Sequence, residues 1–555
     1  MKILLRVLLA LIILFLGFAI YFYFAVKTAE PQISLANLPS RTISPDSVYY
    51  TGNNWLKKNQ YGLYEMYVEG SDFERGYVNG LLSQELVVRQ EEIFVGKLDD
   101  MLPGKVYQKF LLAVVGWINR NLDQRIDEEY LHEIYGVSRS ASDAFDYIAP
   151  KYQRILNYHA AHDIGHAMQN MNLVACTSVG LWGRRTADSS LLIGRNFDFY
   201  MGEEFAKDKI VLFVKPDSGY QFASITWGGF VGVVSGMNEK GLTVTLNAAK
   251  TGIPGSAKTP VSIIGRKILQ YASSIQEAYA IAKEYDSFVA ESFMIGSKQD
   301  GKVAIIEKTP EATTLYEPRG NSITCSNHFQ GSEWSNDSLN VQNLRSSPTG
   351  QRQERLTELI QPRQHISPTD LAIVLRNRLG PNDRDMGMGN EKALNQFVAH
   401  HSVIFQPDKG IMWVSAFPYQ LGAYVAYDLN QVFAQEVGLK QKVDITSSDL
   451  TIPADSFLYS EEYQQLLYSK TMTEKIRKMV WNEEGELSEM EIQHYIASNP
   501  RYFHTHFMLG DYYKMKHLYE PAIKCYQKAL ELDIPRAPER EAIEERLAAC
   551  RKEKP

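Results

Sequence analysis

The sequence predicts an α+β fold in which sheets are covered by helices, and two observations predict it. Between about residues 172 and 430, short runs rich in β-branched and aromatic residues alternate with blocks of helical periodicity. Turn signals such as Pro216-Asp217-Ser218-Gly219 and Asn238-Glu239-Lys240-Gly241 separate the strand runs. This alternation is typical of layered folds in which helices pack on the faces of sheets.

The bulk composition is that of an ordinary globular protein and argues against several functional classes. The chain has 555 residues, of which 45% are hydrophobic and 22% charged, and a net charge of −7. The sequence has no basic stripe of the kind that binds nucleic acid. Four scattered cysteines lack the paired spacing of a metal site or a disulfide framework. We therefore predict no nucleic-acid partner, no metal and no cofactor.

The N-terminal segment predicts a transmembrane anchor. Residues 7–26 read VLLALIILFLGFAIYFYFAV, about the length that a helix needs to cross a bilayer. Lys2 and Arg6 favour a cytoplasmic N-terminus, and Tyr21 and Tyr23 lie near the far end, where interfacial aromatics are common. A cleaved signal peptide is the alternative. We predict a membrane-anchored protein whose catalytic body is extracytoplasmic, on the periplasmic side of a bacterial cell.

Changes of composition along the chain predict six segments. A polar linker follows the anchor, a mainly helical part precedes the strand-rich core, and helices dominate the C-terminal part. In chain order the segments are the anchor at 1–27, the linker at 28–54, the helical N-terminal part at 55–175, the core at 176–430, a helical connector at 431–500 and a helical extension at 501–555.

Two helix starts inside the core are predicted from capping residues. Ser274 and Glu277 have the spacing of a capping box and predict that a helix restarts there. Ser367, Pro368 and Asp370 supply a cap, a first-turn proline and a first-turn acid in the right order. Helices are therefore expected after both serines.

The C-terminal extension resembles one tetratricopeptide (TPR) repeat. Counting from Gly510, the small and aromatic positions of the repeat fall at Tyr513, Ala522, Tyr526 and Ala529. A lone repeat cannot bury its own apolar face, so it must pack on neighbouring helices. Two interpretations stay open, namely a packing extension of the core and a surface that docks a protein partner.

Cys176, in the β-type run VACTSVGLWG, is the candidate nucleophile. A thiol needs a neighbouring base or a lowered pKa, and no histidine is close in sequence. The residue's own α-amino group, with a pKa of about 7.7–8.0, is one such base once the chain is cut before it. Ala175 is small enough to let the thiol attack the preceding carbonyl. The other three cysteines are interpreted as buried core residues.

A series of motifs connects this cysteine to a known family. The segments are ACTSVG, IGRNFDF, GMNEKGLTVTLNAA, CSNHF, SSPTGQRQERL and QPDKGIMWVSAFP, with FERGYVNG upstream. In this order they resemble the acyl-coenzyme A:isopenicillin N (6-aminopenicillanic acid) acyltransferase-like family, and more distantly the choloylglycine hydrolases and acid ceramidase. The resemblance covers about residues 60–430. It implies an N-terminal-nucleophile (Ntn) hydrolase, a four-layer α-β-β-α sandwich that cleaves itself before Cys176.

The resemblance also implies site residues. Cys176 is the implied nucleophile and its freed amine the base. Arg195 would orient the substrate carbonyl and lower the pKa of the thiol, and Asp198 would hold the amine. Asn247 would offer an amide N–H to the oxyanion, a donor worth about 2.7–4 kcal/mol in known enzymes.

Two further positions complete the implied set. Asn327 would be a second amide near the nucleophile, and Arg352 a supporting arginine. Arg355 competes with Arg352, because the two lie three residues apart on a predicted helix.

One geometric expectation concerns the motif GRNFDF. Residues three apart on a strand point to opposite faces, so Arg195 and Asp198 share a face only where the strand ends or turns. We therefore predict that the strand ends at the Asn196-Phe197 step.

Two groups of histidines are given no catalytic role, namely His159, His162 and His166 beside Asp163 in YHAAHDIGHA and the doublet His400-His401. His162 and His166 are one helical turn apart, a spacing known in zinc sites, but no third ligand and no intervening glutamate accompany them. A structural or pocket-lining role is favoured over a metal site. The doublet His400-His401 precedes a strand and is not assigned.

The sequence thus predicts a membrane-anchored, cysteine-dependent Ntn amidohydrolase or acyltransferase that acts on a non-peptide amide through a thioester. Water as the acceptor gives hydrolysis, and an amine gives acyl transfer. Two alternatives stay open, an unprocessed precursor and an inactive hydrolase-derived protein that acts through its TPR-like tail. The predicted partners are a small-molecule amide or acyl donor, the membrane through the N-terminal helix and a protein through the C-terminal helices.

Overall fold

Two β-sheets form the centre of the molecule. The computed structural model describes residues 2–44, 46–101, 114–167, 174–250, 252, 257–434 and 444–554. In these residues the larger sheet has eleven strands and the smaller one six. The strands are β1 Thr42–Ile43, β2 Tyr49–Thr51, β3 Asn54–Lys58, β4 Tyr64–Gly70, β5 Val174–Leu181, β6 Leu192–Phe199, β7 Ile210–Pro216, β8 Phe222–Thr226, β9 Ser235–Asn238, β10 Leu242–Ala248, β11 Glu291–Ser297, β12 Lys302–Lys308, β13 Thr313–Tyr316, β14 Ser322–Cys325, β15 Ala399–Gln406, β16 Ile411–Ser415 and β17 Tyr424–Asp428.

Helices precede, cover and follow the sheets. They are α1 Lys2–Ala25, α2 Asp72–Leu82, α3 Gln84–Met101, α4 Glu128–Ser138, α5 Lys151–Ala167, α6 Glu203–Lys207, α7 Val261–Tyr271, α8 Ile275–Glu284, α9 Ser338–Ser346, α10 Thr349–Ile360, α11 Pro368–Leu375, α12 Leu429–Ala434, α13 Glu461–Asn482, α14 Glu489–Ser498, α15 Phe503–Met515, α16 Tyr519–Glu531 and α17 Ala537–Glu553.

The layers follow the predicted α-β-β-α order. The larger sheet runs β1-β2-β3-β4-β7-β8-β9-β10-β11-β12-β13, and the smaller runs β14-β5-β6-β15-β16-β17. Helices α7 and α8 pack on the larger sheet, and α10 and α11 on the smaller. Phe213, Ile305 and Val403 belong to the apolar core between the sheets. Leu356 and Leu371 bury the outer face of the smaller sheet. The sandwich predicted from the motifs is therefore confirmed.

The larger sheet begins earlier in the chain than the sequence predicted. The segment 28–54 was predicted as a linker but contains β1 and β2, and β3 and β4 lie inside the part predicted to be mainly helical. Trp55 and Met66 are buried in this sheet. β4 pairs in parallel with β7, so that Tyr64 faces Ile210 and Gly70 faces Pro216. The N-terminal part is thereby joined to the core by backbone hydrogen bonds.

The predicted transmembrane anchor is wrong. Within the described ranges, no helix combines the length and the apolar character needed to span a bilayer. Tyr21, interpreted as an interfacial anchor, contacts protein instead, with its ring centroid 6.2 Å from that of Trp117. Phe22 stacks on Trp117 at 5.5 Å, and Gln153 Nε2 donates to the Val26 carbonyl at 2.6 Å. The membrane-anchored localisation predicted from this segment is wrong on the same finding.

Both predicted helix starts in the core are confirmed. Ser274 Oγ accepts a hydrogen bond from the backbone N–H of Glu277 and caps α8. Ser367 and Asp370 form a reciprocal capping box at the start of α11, with Pro368 in the first turn. These caps satisfy N–H groups that have no partner inside the helix.

The TPR-like helix pair is present. Helices α15 and α16 pack closely at Gly510, where an added Cβ would lie 2.5 Å from the ring of Tyr526. Ala522 and Ala529 are fully buried on the same helix as Tyr526. Neighbouring helices α13, α14 and α17 bury the remaining faces of the pair. The extension therefore has the stacking partners that a lone repeat requires.

The end of the helical connector and the extension dock together on the loop 385–396 of the core. The amide of Asn499 bonds both backbone groups of Met388, accepting from its N–H at 3.0 Å and donating to its carbonyl at 2.8 Å. Two ion pairs add to these bonds. Lys392 Nζ lies 3.2 Å from Asp533 Oδ1, and Arg536 Nε lies 2.5 Å from Glu391 Oε2. These contacts favour the interpretation of the tail as a packing extension.

We expect Asn499→Ala to loosen this loop. The change leaves two backbone groups of Met388 without their partner, which costs about 1–3 kcal/mol of stability. Hydrogen exchange in the loop 385–396 should then become faster, and the urea midpoint of unfolding should fall. Lys528→Ala, which removes an exposed ion pair with Glu531, is the control and should change neither by a comparable amount. Unchanged exchange in Asn499→Ala would contradict the proposed docking role.

Candidate active site

Cys176 lies on the inner face of the smaller sheet, with no exposed surface. In the register of β5 and β6, Cys176 faces Phe197 and Ser178 faces Arg195. Residues that face one another in an antiparallel pair share a face of the sheet. Burial raises the pKa of the Cys176 thiol, and the positive charge of Arg195 opposes that effect. Arg195 Nη2 lies 3.3 Å from Cys176 Sγ.

Arg195 connects the two sheets. Its Nη1 donates to the carbonyl of Val234 at 2.6 Å and also to Ser235 Oγ, while its Nη2 donates to the carbonyl of Leu246. These acceptors belong to β9, β10 and the turn before β9. These bonds offset the cost of burying the guanidinium, although Nε of Arg195 has no hydrogen-bond partner among the described residues. The arrangement fixes a cation beside the sulfur atom.

The backbone of Cys176 has its own partners. Its N–H donates to Asn327 Oδ1 at 2.9 Å, and its carbonyl accepts from Arg352 Nη1 at 2.7 Å. Arg352 Nη2 donates to the same Asn327 oxygen at 2.7 Å, and Asn327 Nδ2 donates to the carbonyl of Ala248 at 2.9 Å. The nitrogen of Cys176 is thus held by an amide whose orientation Arg352 and β10 fix.

The contacts of Arg352 and Arg355 differ, and they favour Arg352 as the supporting arginine. Arg352 is buried against Cys176, as described above. Arg355 points elsewhere and contacts Asn377, Glu358 and Asp383. Of the two, only Arg352 is placed to act on the nucleophile.

Asn247 lies across the gap between the sheets from Ser178. The Ser178 hydroxyl donates to Asn247 Oδ1 at 2.7 Å, and Asn247 Nδ2 donates to the Cys325 carbonyl at 3.3 Å. Asn247 is fully buried. Because Asn247 Oδ1 accepts the bond from Ser178, the NH₂ group of Asn247 points away from that hydroxyl. One N–H of this group donates to Cys325, and the second N–H is left to donate to another acceptor.

Asp198 occupies the opposite face from the thiol, and the predicted end of the strand at Asn196-Phe197 is wrong. β6 continues to Phe199, so the alternation of side chains is preserved through the motif. Asp198 pairs in register with Ala175 and accepts from Gln396 Nε2 at 3.1 Å. Burial raises the pKa of Asp198 to about 7, and Arg352 and Arg195 oppose that effect.

Sequence reasoning missed three residues of this site. Ser178 is two residues from Cys176 on the same strand, and alternation alone places it on the same face. Ser235 and Gln396 come from a strand and a loop whose positions depend on the tertiary structure. No pattern in their neighbourhood indicated a role for either.

Of the three histidines considered as metal ligands, His159 is the one whose side chain the structure describes. His159 is fully buried, and its Nε2 accepts from the backbone N–H of Val231 at 2.9 Å. Burial lowers its pKa to about 4. The side chains of His162 and His166 lie outside the described residues. Within the described part, no cluster of three or more His, Cys, Asp or Glu side chains could hold an ion.

Part of the core is similar to a known protein family. Residues 184–416 match the family model described as acyl-coenzyme A:6-aminopenicillanic acid acyl-transferase. An uncharacterized protein of Archaeoglobus fulgidus is 28% identical over 264 residues, which cover 43% of this chain and 42% of that one. Protein dcd1A of Dictyostelium discoideum is 24% identical over 289 residues, covering 47% of this chain and 61% of that one. The chain therefore spans less than two thirds of either relative.

Solved structures show weaker likeness. The Caenorhabditis elegans ortholog of N-acylethanolamine-hydrolyzing acid amidase is 16% identical with a TM-score of 0.31, over 42% of this chain and 93% of that one. A conjugated bile acid hydrolase of Clostridium perfringens is 16% identical with a TM-score of 0.33, over 49% and 98% of the two chains.

Arg352→Lys should slow the chemistry at Cys176, whereas Arg355→Lys should not. Lysine cannot bridge the Cys176 carbonyl and the Asn327 oxygen together, and losing about 2 kcal/mol of charge-assisted hydrogen bonding corresponds to roughly 30-fold in rate. The rate is measured from intact-mass spectra as the appearance of a fragment beginning at Cys176. Equal rates of fragment appearance in the two variants would contradict a role for Arg352 at Cys176.

Ser178→Ala should lower kcat and leave KM unchanged. Without the hydroxyl, Asn247 loses the bond that orients its amide, and a neutral hydrogen bond is worth about 1 kcal/mol, or roughly fivefold in rate. Steady-state kinetics of amide turnover measure both constants. Ser178→Thr keeps the hydroxyl and should have the kcat of the parent protein. A purely structural role of Ser178 would not predict this recovery.

Proposed function

Because residues 184–416 match the family model described as acyl-coenzyme A:6-aminopenicillanic acid acyl-transferase, we propose that this chain is a cysteine-dependent Ntn amide hydrolase or acyltransferase. The single observation that carries the proposal is that Cys176 has separate partners for its two reactive atoms. Arg195 contacts the sulfur, and Asn327 accepts from the nitrogen. An Ntn enzyme needs both, because the thiol attacks while the amine moves the proton.

Activation is proposed to begin with self-cleavage at the Ala175–Cys176 bond. Cys176 Sγ attacks the Ala175 carbonyl carbon, and the C–N bond breaks as the Cys176 nitrogen takes up the thiol proton. Water then hydrolyses the thioester, leaving a carboxylate on Ala175 and a free amine on Cys176. Asp198 Oδ1, which has no hydrogen-bond partner among the described residues, supports this step. It lies opposite Ala175, where it could accept a proton of the new amine.

Turnover is proposed to use the same groups. The free amine, held by Asn327, takes the thiol proton as Cys176 Sγ attacks the substrate amide carbon. The oxyanion is stabilised by the Asn247 NH₂ group, in a buried site where hydrogen bonds to developing charge are strong. The amine proton passes to the leaving nitrogen, which departs. Water or an acceptor amine then resolves the thioester, giving hydrolysis or acyl transfer.

The N-terminal part is expected to stay bound after cleavage. β4 and β7 lie on opposite sides of the cut in sequence and pair along seven residues. Cleavage breaks one covalent bond and leaves this ladder in place. The mature protein is therefore proposed to be a two-chain assembly.

Intact mass and N-terminal sequencing of the purified protein test the proposal. The parent protein should yield two fragments, the second beginning Cys-Thr-Ser-Val, and Cys176→Ala should yield one uncut chain. Cys525→Ala, which removes a thiol far from the site, is the control and should be cut like the parent. A folded parent that stays a single chain would refute self-cleavage, and amide turnover that survives Cys176→Ala would refute the thiol mechanism.

A further inference from the structure

A buried glutamine contacts the carboxylate of Asp198. Gln396 Nε2 donates to Asp198 Oδ2 at 3.1 Å, and Gln396 Oε1 accepts from the hydroxyl of Tyr200. Because an ionised carboxylate can only accept, the NH₂ group of the amide faces Asp198 and the amide oxygen faces Tyr200. The tyrosine therefore keeps the glutamine in the orientation that donates to Asp198.

This bond gives the two oxygens of Asp198 different surroundings. Oδ2 accepts from Gln396, whereas Oδ1 has no hydrogen-bond partner among the described residues. Asp198 pairs in register with Ala175, beside the bond proposed to break. A hydrogen bond donated to an ionised carboxylate favours the charged form. Gln396 therefore orients Asp198 and favours its proton-accepting state, with Oδ1 left for the new amine.

The ionisable groups that face Asp198 come from its own strand and the residue after it, from β5, from α10 and from the loop 385–396. They are Arg195, Tyr200, Cys176, Arg352 and Glu391. Burial raises the pKa of Asp198 to about 7, the two arginines oppose this effect and Glu391 adds to it. Gln396 is uncharged, so its removal raises the pKa of Asp198 without changing the charge of any neighbour.

The loop that carries Gln396 is held by the C-terminal helices. The next residue, Phe397, is fully buried and has a φ of 56°, which a bulky side chain rarely adopts. Lys470, on α13, donates to the Phe397 carbonyl at 2.8 Å. Earlier in the loop, Asn390 Nδ2 donates to the Asp533 carbonyl at 2.7 Å. Unfavourable backbone conformations persist where the surrounding structure determines them, and part of that structure here lies outside the core.

We propose that Gln396 is a positioning residue for self-cleavage, and that the C-terminal helices act on the reaction by holding its loop. The inference rests on the proposed function, since it takes Asp198 to receive a proton of the new Cys176 amine. Gln396 acts through Asp198 and not on the bond that breaks. The helices after the core thereby contribute to the chemistry as well as to packing.

The variant Gln396→Met tests this inference, because methionine is of similar length and has no N–H. Full-length protein is made by cell-free synthesis, and cleavage before Cys176 is followed by intact mass. At about pH 6, Gln396→Met should be cut about tenfold more slowly than the parent, since a smaller fraction of Asp198 is ionised. At about pH 9, Asp198 is ionised in both proteins, and their rates should agree within about twofold. Taking the ratio of the two rates cancels titrations common to both proteins, such as that of the thiol.

Matched controls come from the same regions of the chain. Gln420→Met removes another fully buried glutamine, which donates to the Leu375 carbonyl, and it should be cut like the parent at both pH values. Lys470→Met should be slowed at about pH 6 and not at about pH 9. Lys475→Met removes an ion pair with Glu491 on the same helix and should not be slowed at either pH.

Equal rates of Gln396→Met and the parent at both pH values would overturn the inference. The same slowing at both would also overturn it, because damage to the fold does not depend on the ionisation of Asp198. Should Gln396→Met fail to fold, as judged by circular dichroism, Tyr200→Phe carries the test with the same expected pattern. An unslowed Lys470→Met would overturn the part assigned to the C-terminal helices.

The parent protein separates this inference from the proposed function. A parent that is cut while Gln396→Met matches it rejects the role of Gln396 alone. A folded parent that stays uncut rejects self-cleavage, and the role of Gln396 with it.

Discussion

The buried guanidinium of Arg195 is the interaction on which the site depends. A cation with no exposed surface needs hydrogen-bond partners, and the carbonyls of Val234 and Leu246 on the side of the larger sheet accept from Nη1 and Nη2 of Arg195. The smaller sheet therefore carries a charge that the larger sheet solvates. This charge counters the burial that otherwise keeps the Cys176 thiol neutral. One side chain thus bonds to the larger sheet and lies beside the sulfur of Cys176.

The alternation of side chains on β5 and β6 divides the chemistry between two faces. On the inner face lie the thiol, Arg195 and, across the gap, the amide of Asn247. On the outer face, Arg352 and Asp198 surround the backbone on either side of the bond proposed to break. In the proposed mechanism this separation lets one residue serve as both nucleophile and base, because its side chain and its nitrogen are approached from different directions.

The motif order predicted the sandwich and a set of polar residues that the structure gathers around Cys176. What it could not predict depends on tertiary structure. The continuation of β6 past Phe197 is accommodated by a bulge at His400, two hundred residues away, so nothing within GRNFDF reveals it. Gln396 reaches Asp198 from a loop fixed in part by Asn499 of the helical connector. The apolar N-terminal run has the composition of an anchor, and its pattern gave no sign that Phe22 stacks on Trp117.

The parallel pairing of β4 with β7 has a consequence for production of the protein in pieces. If the segments before and after Cys176 were expressed as separate polypeptides, each would present an unpaired strand edge, and such edges are templates for aggregation. A split version should therefore be recovered in soluble form only when both polypeptides fold together. The order of events in the cell is constrained in the same way, with folding of the continuous chain first and any cut afterwards.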